Sequence, residues 1–294
     1  MAAERLRAEC IRCLLKHHLE HYPETASETQ KRGYMQQLMQ IIGHASCDMS
    51  APVLTDQITR LQKDMFGIEN EYGGIKRHFN EVMLGYESDV RAQIERAADP
   101  LLAGLQFAMI GNYIDFGAME HVDEEYLTGL LHTAGEKVVS EETFGQLKEE
   151  LQKAKHLLYL TDNCGEVVMD KLWIEQLKKE YPQLAITVMV RGTAVINDAT
   201  MEDAEQIGMT KQVRVTDNGT GIAGTCLEQM PDLALKEVDQ ADVIIAKGQG
   251  NYESLRGCGK NIFYLFLCKC EMFARNFGVP RMTGMLVKEG IMTV

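Results

Sequence analysis

The string Thr161-Asp162-Asn163-Cys164-Gly165-Glu166 gathers two carboxylates and an amide around one glycine. Asp162 and the amide oxygen of Asn163 are hard donors of the kind that bind Mg²⁺ or Mn²⁺. Gly165 permits a tight turn, and a helix starting behind it would offer N–H groups to an anion. Glu166 could orient a water or act as a general base. The same residues also read as a helix cap, with Asp or Asn at the N-cap and Glu in the first turn. A second string runs from Val190-Arg191-Gly192 to Asn197-Asp198-Ala199-Thr200. Its Asp198 could complete a metal site or cap a helix starting at Ala199. A third, Lys247-Gly248-Gln249-Gly250-Asn251-Tyr252-Glu253, pairs glycines that let backbone approach a ligand with a lysine that could neutralise phosphate. It lacks the Gly-Lys-Ser/Thr of the common nucleotide-hydrolase loop, and no GxGxxG dinucleotide fingerprint is read along the chain.

The positions of these strings follow from the elements around them. After about residue 153, apolar runs alternate with helical ones. His156–Thr161, Ala185–Val190, Val213–Thr216, Asp242–Ala246 and Ile262–Leu267 read as strands. Helices are expected over Val167–Tyr181, Ala199–Ile207, Thr225–Met230 and Asp232–Val238. This alternation predicts an α/β core, a Rossmann-like, mostly parallel sheet with helices on both faces. Ligands bind such sheets beyond the carboxyl ends of the strands. Each predicted strand runs into polar or charged residues: Asp162 and Asn163, Arg191, Asp217 and Asn218, Lys247, Lys269. That mixture of acids, amides and cations suits a site for phosphate and metal. Residues 1–150 read as a helical N-terminal domain, with helices over Glu28–Gly43, Ala51–Phe66, Gly74–Leu84 and Tyr86–Ala98 and another from Asp99-Pro100 to Gly111. Residues 151–294 form the expected core domain.

The three strings, in this order, resemble the metal-dependent damage-control phosphatase family, long catalogued as a domain of unknown function. The likeness is to its stand-alone microbial branch with an N-terminal Cys-x-x-C, here Cys10-Ile11-Arg12-Cys13. Tyr72, Ile75-Lys76 and Asn80 resemble the family's Tyr-x-x-Ile-Lys-x-x-x-Asn stretch, and Gly111-Asn112 with Asp115 its Gly-Asn-x-x-Asp element. The resemblance implies a divalent cation, Mg²⁺ or Mn²⁺ with Co²⁺ or Ni²⁺ as alternatives, held by Asp162, Asn163 and Asp198. It implies a phosphate contact by Lys269, in Leu267-Cys268-Lys269-Cys270 where relatives have Lys-Ala-Lys-Cys. Asn112, Asp115 and Asn251 would line the substrate pocket, with Gly165, Arg191 and Lys247 as further substrate contacts.

The implied activity is hydrolysis of small phosphorylated metabolites, sugar phosphates or damaged phosphometabolites. Asp162, Glu166 and Lys269 would be the catalytic residues, with Glu166 either orienting water or supporting the residues around the metal. The backbone amides of Asn163–Glu166 would hold phosphoryl oxygens. Either a water oriented by Asp162 or Glu166 attacks, or Asp162 attacks directly to give an aspartyl-phosphate. Two alternatives are an S-adenosylmethionine-dependent methyltransferase and a non-catalytic metabolite- or metal-binding module. The first is weakened because Asp162-Asn163-Cys164-Gly165-Glu166 stands where a glycine-rich loop would follow the first core strand.

The remaining composition narrows the field. The 294 residues carry 30 Lys and Arg against 43 Asp and Glu, a net charge of −13. This argues against nucleic-acid binding, which needs clustered cations. No run approaches the roughly 18 apolar residues of a membrane span, and no apolar signal-peptide core opens the chain. With eight scattered Cys, free thiols and a cytoplasmic location are expected. Cys10, Cys13, His17 and His21 share a helix face but cannot all wrap one ion.

Overall fold

The computed structural model describes residues 5–19, 21–68, 72–115, 122–136 and 138–290. Seven helices come first: α1 (Ala8–His18), α2 (Glu28–Gly43), α3 (Ala51–Phe66), α4 (Gly73–Arg96), α5 (Pro100–Gly111), α6 (Glu124–His132) and α7 (Glu141–Lys153). Then follow β1 (His156–Leu160), α8 (Glu166–Glu180), β2 (Ala185–Val190), α9 (Met201–Gln206), β3 (Arg214–Asp217), α10 (Asp232–Gln240), β4 (Val243–Lys247), α11 (Gly248–Leu255), β5 (Ile262–Leu267), α12 (Glu271–Phe277) and β6 (Gly284–Lys288). The strands form one sheet in the order β3-β2-β1-β4-β5-β6, parallel except for β6. The expected mostly parallel α/β sheet is therefore present, with an additional antiparallel edge.

Strands β1, β2, β4 and β5 are largely apolar on both sides because both sides are covered, whereas the edge strand β3 is half-exposed. Leu157, Tyr159, Val188, Ile245, Phe263 and Leu265 point into a core shared with α4, α5, α7 and α8. Leu158, Leu160, Ile244, Ala246, Tyr264 and Phe266 point into a second core with α10 and α12. This is the two-residue side-chain period of a strand. Helices α1, α2 and α3 close a third, smaller core around Tyr34, Leu38, Leu54 and Ile58. The expected division near residue 150 thus falls inside one continuous hydrophobic core. Helix α5 is buried almost all round and lies against α8. A Cβ on Gly104 would sit 2.8 Å from the Trp173 ring, and one on Gly111 3.2 Å from the Glu166 Cα. That close packing lets the end of α5 deliver Asn112 and Asp115 to the sheet.

The chain leaves β1 for β2 and β3 on one side and returns through β4 on the other. The switch point lies between β1 and β4, and in sheets of this kind ligands bind beyond the carboxyl ends of the strands at that point. Asp162 and Gly248 follow those two strands.

Candidate functional site

The first two strings fold onto each other. The Ala199 N–H donates to the Asp162 carbonyl at 2.7 Å, and the Cys164 N–H to the Asn197 carbonyl at 2.8 Å. Asn163 and Asp198 form an isolated antiparallel bridge, so the three oxygen-donor residues share one locus. Glu166 does stand in the first turn of α8, but Asp162, Asn163 and Asp198 are not the caps. The N-cap of α8 is Gly165, with φ of 67°, and α9 is capped by Thr200 in a capping box with Asp203. Asp162, Asn163 and Asp198 are all buried without capping a helix.

The Asp162 Oδ2 accepts from Asn112 Nδ2 at 2.9 Å and from Asn163 Nδ2 at 2.7 Å. The Arg191 Nη2 lies 3.5 Å from Asp162 Oδ1 and has no hydrogen bond among the described residues. Arg191 Nε donates to Asp198 Oδ2 at 2.7 Å, and its Nη1 to Asn251 Oδ1 at 3.2 Å. Lys269 Nζ reaches Asp115 Oδ2 at 2.6 Å. The Asn112 Oδ1 accepts the Leu267 N–H at 2.9 Å, which ties the end of α5 to β5. Burial pushes the Asp162 carboxyl well above its ordinary range, and the carboxylates of Asp198, Glu166 and Asp115 push it the same way against Arg191. Burial also raises Asp198, to about 6, with Arg191 opposing. A buried oxygen-donor pocket with surplus negative charge fits a divalent cation. Among the described residues, no three His, Cys, Asp or Glu side chains form a ready cage, so the Asn163 amide would be the third ligand.

Several expected contacts are placed differently. Lys247 is fully buried. Its ammonium sits 2.6 Å from both Glu166 Oε1 and Asp170 Oδ1 and donates to the Ala108 carbonyl. It neutralises carboxylates beneath the pocket instead of facing phosphate. Glu166 has no exposed surface, and its Oε2 accepts from Asn112 at 2.9 Å and Asn163 at 3.1 Å. It orients those two amides and has no access to water. The amides of Asn163–Glu166 are all engaged inside the chain, with Glu166 Oε2, the Asn197 carbonyl, Asn80 Oδ1 and the Cys164 carbonyl. The expected oxyanion cradle is therefore absent from that turn. Asn251 spends both ends on protein: Oδ1 on Arg191 and Thr225, Nδ2 on the Thr161 and Lys247 carbonyls. It buttresses Arg191.

Gly248 is the residue of the third string that meets the site. Its φ is +77°, and a Cβ there would lie 1.9 Å from Asp162 Oδ2. Gly248→Ala is expected to displace that carboxylate. Misplacing a reacting group by about 1 Å costs roughly 100-fold in turnover. Steady-state kinetics on the folded variant check this.

Two features differ from their reading in sequence. Gly219-Thr220-Gly221-Ile222-Ala223-Gly224 has the spacing of a dinucleotide fingerprint. However, it follows the edge strand β3 and leads into a short 3₁₀ turn at Leu227–Gln229, not a helix. Its glycines serve close loop packing: a Cβ on Gly224 would lie 2.7 Å from the Gly250 carbonyl oxygen. The second is Asn80, buried on α4 against the Gly165 turn, for which only a motif likeness was visible.

The sequence model of the Damage-control phosphatase ARMT1-like domain matches residues 6–284. The chain belongs to this family. An uncharacterized protein of Methanocaldococcus jannaschii is 30% identical across 97% of this chain and 95% of its own. A damage-control phosphatase of Archaeoglobus fulgidus is 33% identical across 78% and 81%. The crystal structure of a DUF89 family protein from Pyrococcus horikoshii superposes with a TM-score of 0.79 at 25% identity, covering 97% of this chain and 99% of that one. Membership supports a phosphatase acting on damaged metabolites, a class of small-molecule substrates. No helix among the described residues is long and apolar enough to cross a membrane. All eight cysteines of this family member are free thiols.

Proposed function

We propose that the chain is a divalent-metal-dependent phosphomonoesterase acting on small phosphorylated metabolites, with sugar phosphates as the leading class. The observation that carries this reading is the meeting of Asp162, Asn163 and Asp198 at the β1–β4 switch point, beside an arginine whose Nη2 faces Asp162 without a hydrogen bond among the described residues. Mg²⁺ or Mn²⁺ is the expected cation, held by those three residues, because the donors are all oxygens. When bound, it supplies charge compensation for the phosphoryl group.

The protein groups divide the remaining work. The Arg191 Nη2 is the donor left over to grip a phosphoryl oxygen. Its other nitrogens are fixed by Asp198 and Asn251, so it arrives pre-oriented. Lys269 supplies a second positive charge, held in place by Asp115. Asp162 is positioned to orient the attacking water or to attack itself. Glu166, Asn251 and Lys247 act as positioning residues, a change from the roles their sequence strings suggested. The test is release of inorganic phosphate from a panel of sugar phosphates with each divalent cation or with chelator.

A further inference from the structure

Helix α4 reaches the two loops that carry Asp162, Asn163 and Asp198 from the helical half of the chain. Asn80 is wholly buried on this helix. Its Oδ1 accepts the Gly165 N–H at 2.6 Å, from the turn just after Asp162-Asn163. Its Nδ2 donates to Asp203 Oδ1 at 2.9 Å and Gln206 Oε1 at 2.8 Å, both on α9 just after Asp198. One turn earlier, Lys76 Nζ pairs with Asp203 Oδ2 at 2.6 Å and reaches Thr200 Oγ1 at 3.3 Å. Asp203 Oδ2 in turn accepts the Thr200 N–H at 2.8 Å, closing the capping box of α9.

These bonds give one side chain a hold on both loops. Gly165 stands in a positive-φ turn whose amide has Asn80 as its partner, and Thr200 lies two residues beyond Asp198. The two loops also meet directly, through the Ala199 N–H on the Asp162 carbonyl and the Cys164 N–H on the Asn197 carbonyl around the Asn163–Asp198 bridge, and through the Asn197 amide against the Cys164 sulfur. We infer that Asn80 is a positioning residue that sets the distance between the Asp162-Asn163 turn and Asp198, and through it the affinity of the site for its cation. The inference rests on the metal-dependent reading above. Partners that orient metal ligands typically contribute about 10- to 100-fold in affinity.

The test is the affinity of the full chain for Mn²⁺, titrated by calorimetry and by ligand-dependent thermal shift, in variants of α4. Asn80→Ala is expected to weaken Mn²⁺ binding by roughly 10-fold or more. Met83→Ala, one turn further along the same helix, removes apolar core packing but no hydrogen bond to either loop, and is expected to lower Tm without changing Mn²⁺ affinity. A second pair covers the case in which Asn80→Ala does not fold. Asn80→Asp keeps the acceptor for Gly165 but sets a carboxylate against Asp203, and it is expected to weaken binding. Adding Asp203→Asn restores a donor–acceptor pair of unchanged total charge and is expected to recover affinity. Parent-like Mn²⁺ binding in Asn80→Ala or Asn80→Asp would overturn the inference, and so would equal loss in Met83→Ala. Absence of Mn²⁺ binding by the folded parent would instead overturn the metal-dependent reading itself, and this inference with it.

Discussion

Asp162→Asn is expected to abolish turnover and, in the same protein, to raise thermal stability. The first effect follows from the proposed role. Losing an anionic ligand and the reacting carboxylate removes several kcal/mol of transition-state stabilisation, a loss of about a thousandfold or more. The second follows from electrostatics. The folded protein holds the Asp162 carboxyl above its unfolded value, so at neutral pH the ionised form costs stability in the absence of metal. The amide mimics the neutral form, and its oxygen can still accept from Asn112 and Asn163. Repulsion from Asp198, Glu166 and Asp115 disappears. With chelator at neutral pH, a gain of about 1 kcal/mol is expected, roughly 2–4 °C in Tm. The gain should fade as pH falls, because the parent carboxyl then takes up a proton and escapes the same penalty. Melting curves of parent and variant across pH 5 to 8 measure this. A variant less stable than the parent at every pH would show that the carboxylates do not repel as described.

Lys247→Met is expected to produce the largest stability loss. The ammonium neutralises two carboxylates where no water reaches, and all three side chains have no exposed surface. Removing one partner of a buried ion pair costs about 3–5 kcal/mol. That corresponds to roughly 6–20 °C in Tm. Burial already pushes Asp170 up to about 7 even with Lys247 beside it. In the variant this carboxyl takes up a proton more readily, so the loss should be greater at high pH and shrink as pH falls. Tyr159, which donates to Asp170 at 2.7 Å, keeps its bond in either state. Combining Lys247→Met with Glu166→Gln and Asp170→Asn should recover much of the stability, since no charge remains unpaired. Denaturant titrations of the single and triple variants decide it. A single variant within about 1 kcal/mol of the parent would show that the buried network is not what holds α8 to β4.

These two residues also show what a sequence can and cannot reveal here. The strands Ala185–Val190 and Ile262–Leu267 stand where their apolar runs place them, the second buried throughout and the first interrupted only by the half-buried Thr187. Helix α4, expected as two pieces around Gly85, runs unbroken because Met83, Val90 and Ile94 bury against the core on either side. A single interior glycine costs only about 1 kcal/mol, which that packing outweighs. Strand β6 was not legible. It is a short edge strand ending in Lys288, and its place is set by antiparallel pairing to β5. Helices α11 and α12 were missed for a related reason, being short and rich in glycine or charge.

In the site, Asp162, Asn163 and Asp198 were legible from motif resemblance, and their meeting is what the folded chain adds. Lys247 and Asp162 each border a strand end and look equivalent in sequence. Only the fold shows that Lys247 is fully buried and paired with Glu166 and Asp170 on α8, while Asp162 meets Asn163, Asp198 and Arg191. Polarity at a strand terminus records either a ligand or a buried partner, and spacing alone does not separate them. Asn80 was hidden more deeply, because its partners Gly165, Asp203 and Gln206 lie 85, 123 and 126 residues further along the chain.

The central claim is metal-dependent phosphomonoester hydrolysis at the Asp162–Asn163–Asp198 locus. It is tested most directly by phosphate release from p-nitrophenyl phosphate and a panel of sugar phosphates. The parent protein is assayed with Mg²⁺, Mn²⁺, Co²⁺, Ni²⁺ or chelator, beside Asp162→Asn. The expected result is release by the parent that requires a divalent cation, vanishes with chelator and is missing in the variant. Release that persists undiminished in chelator, or no release with any cation from protein shown to be folded by its melting transition, would contradict it.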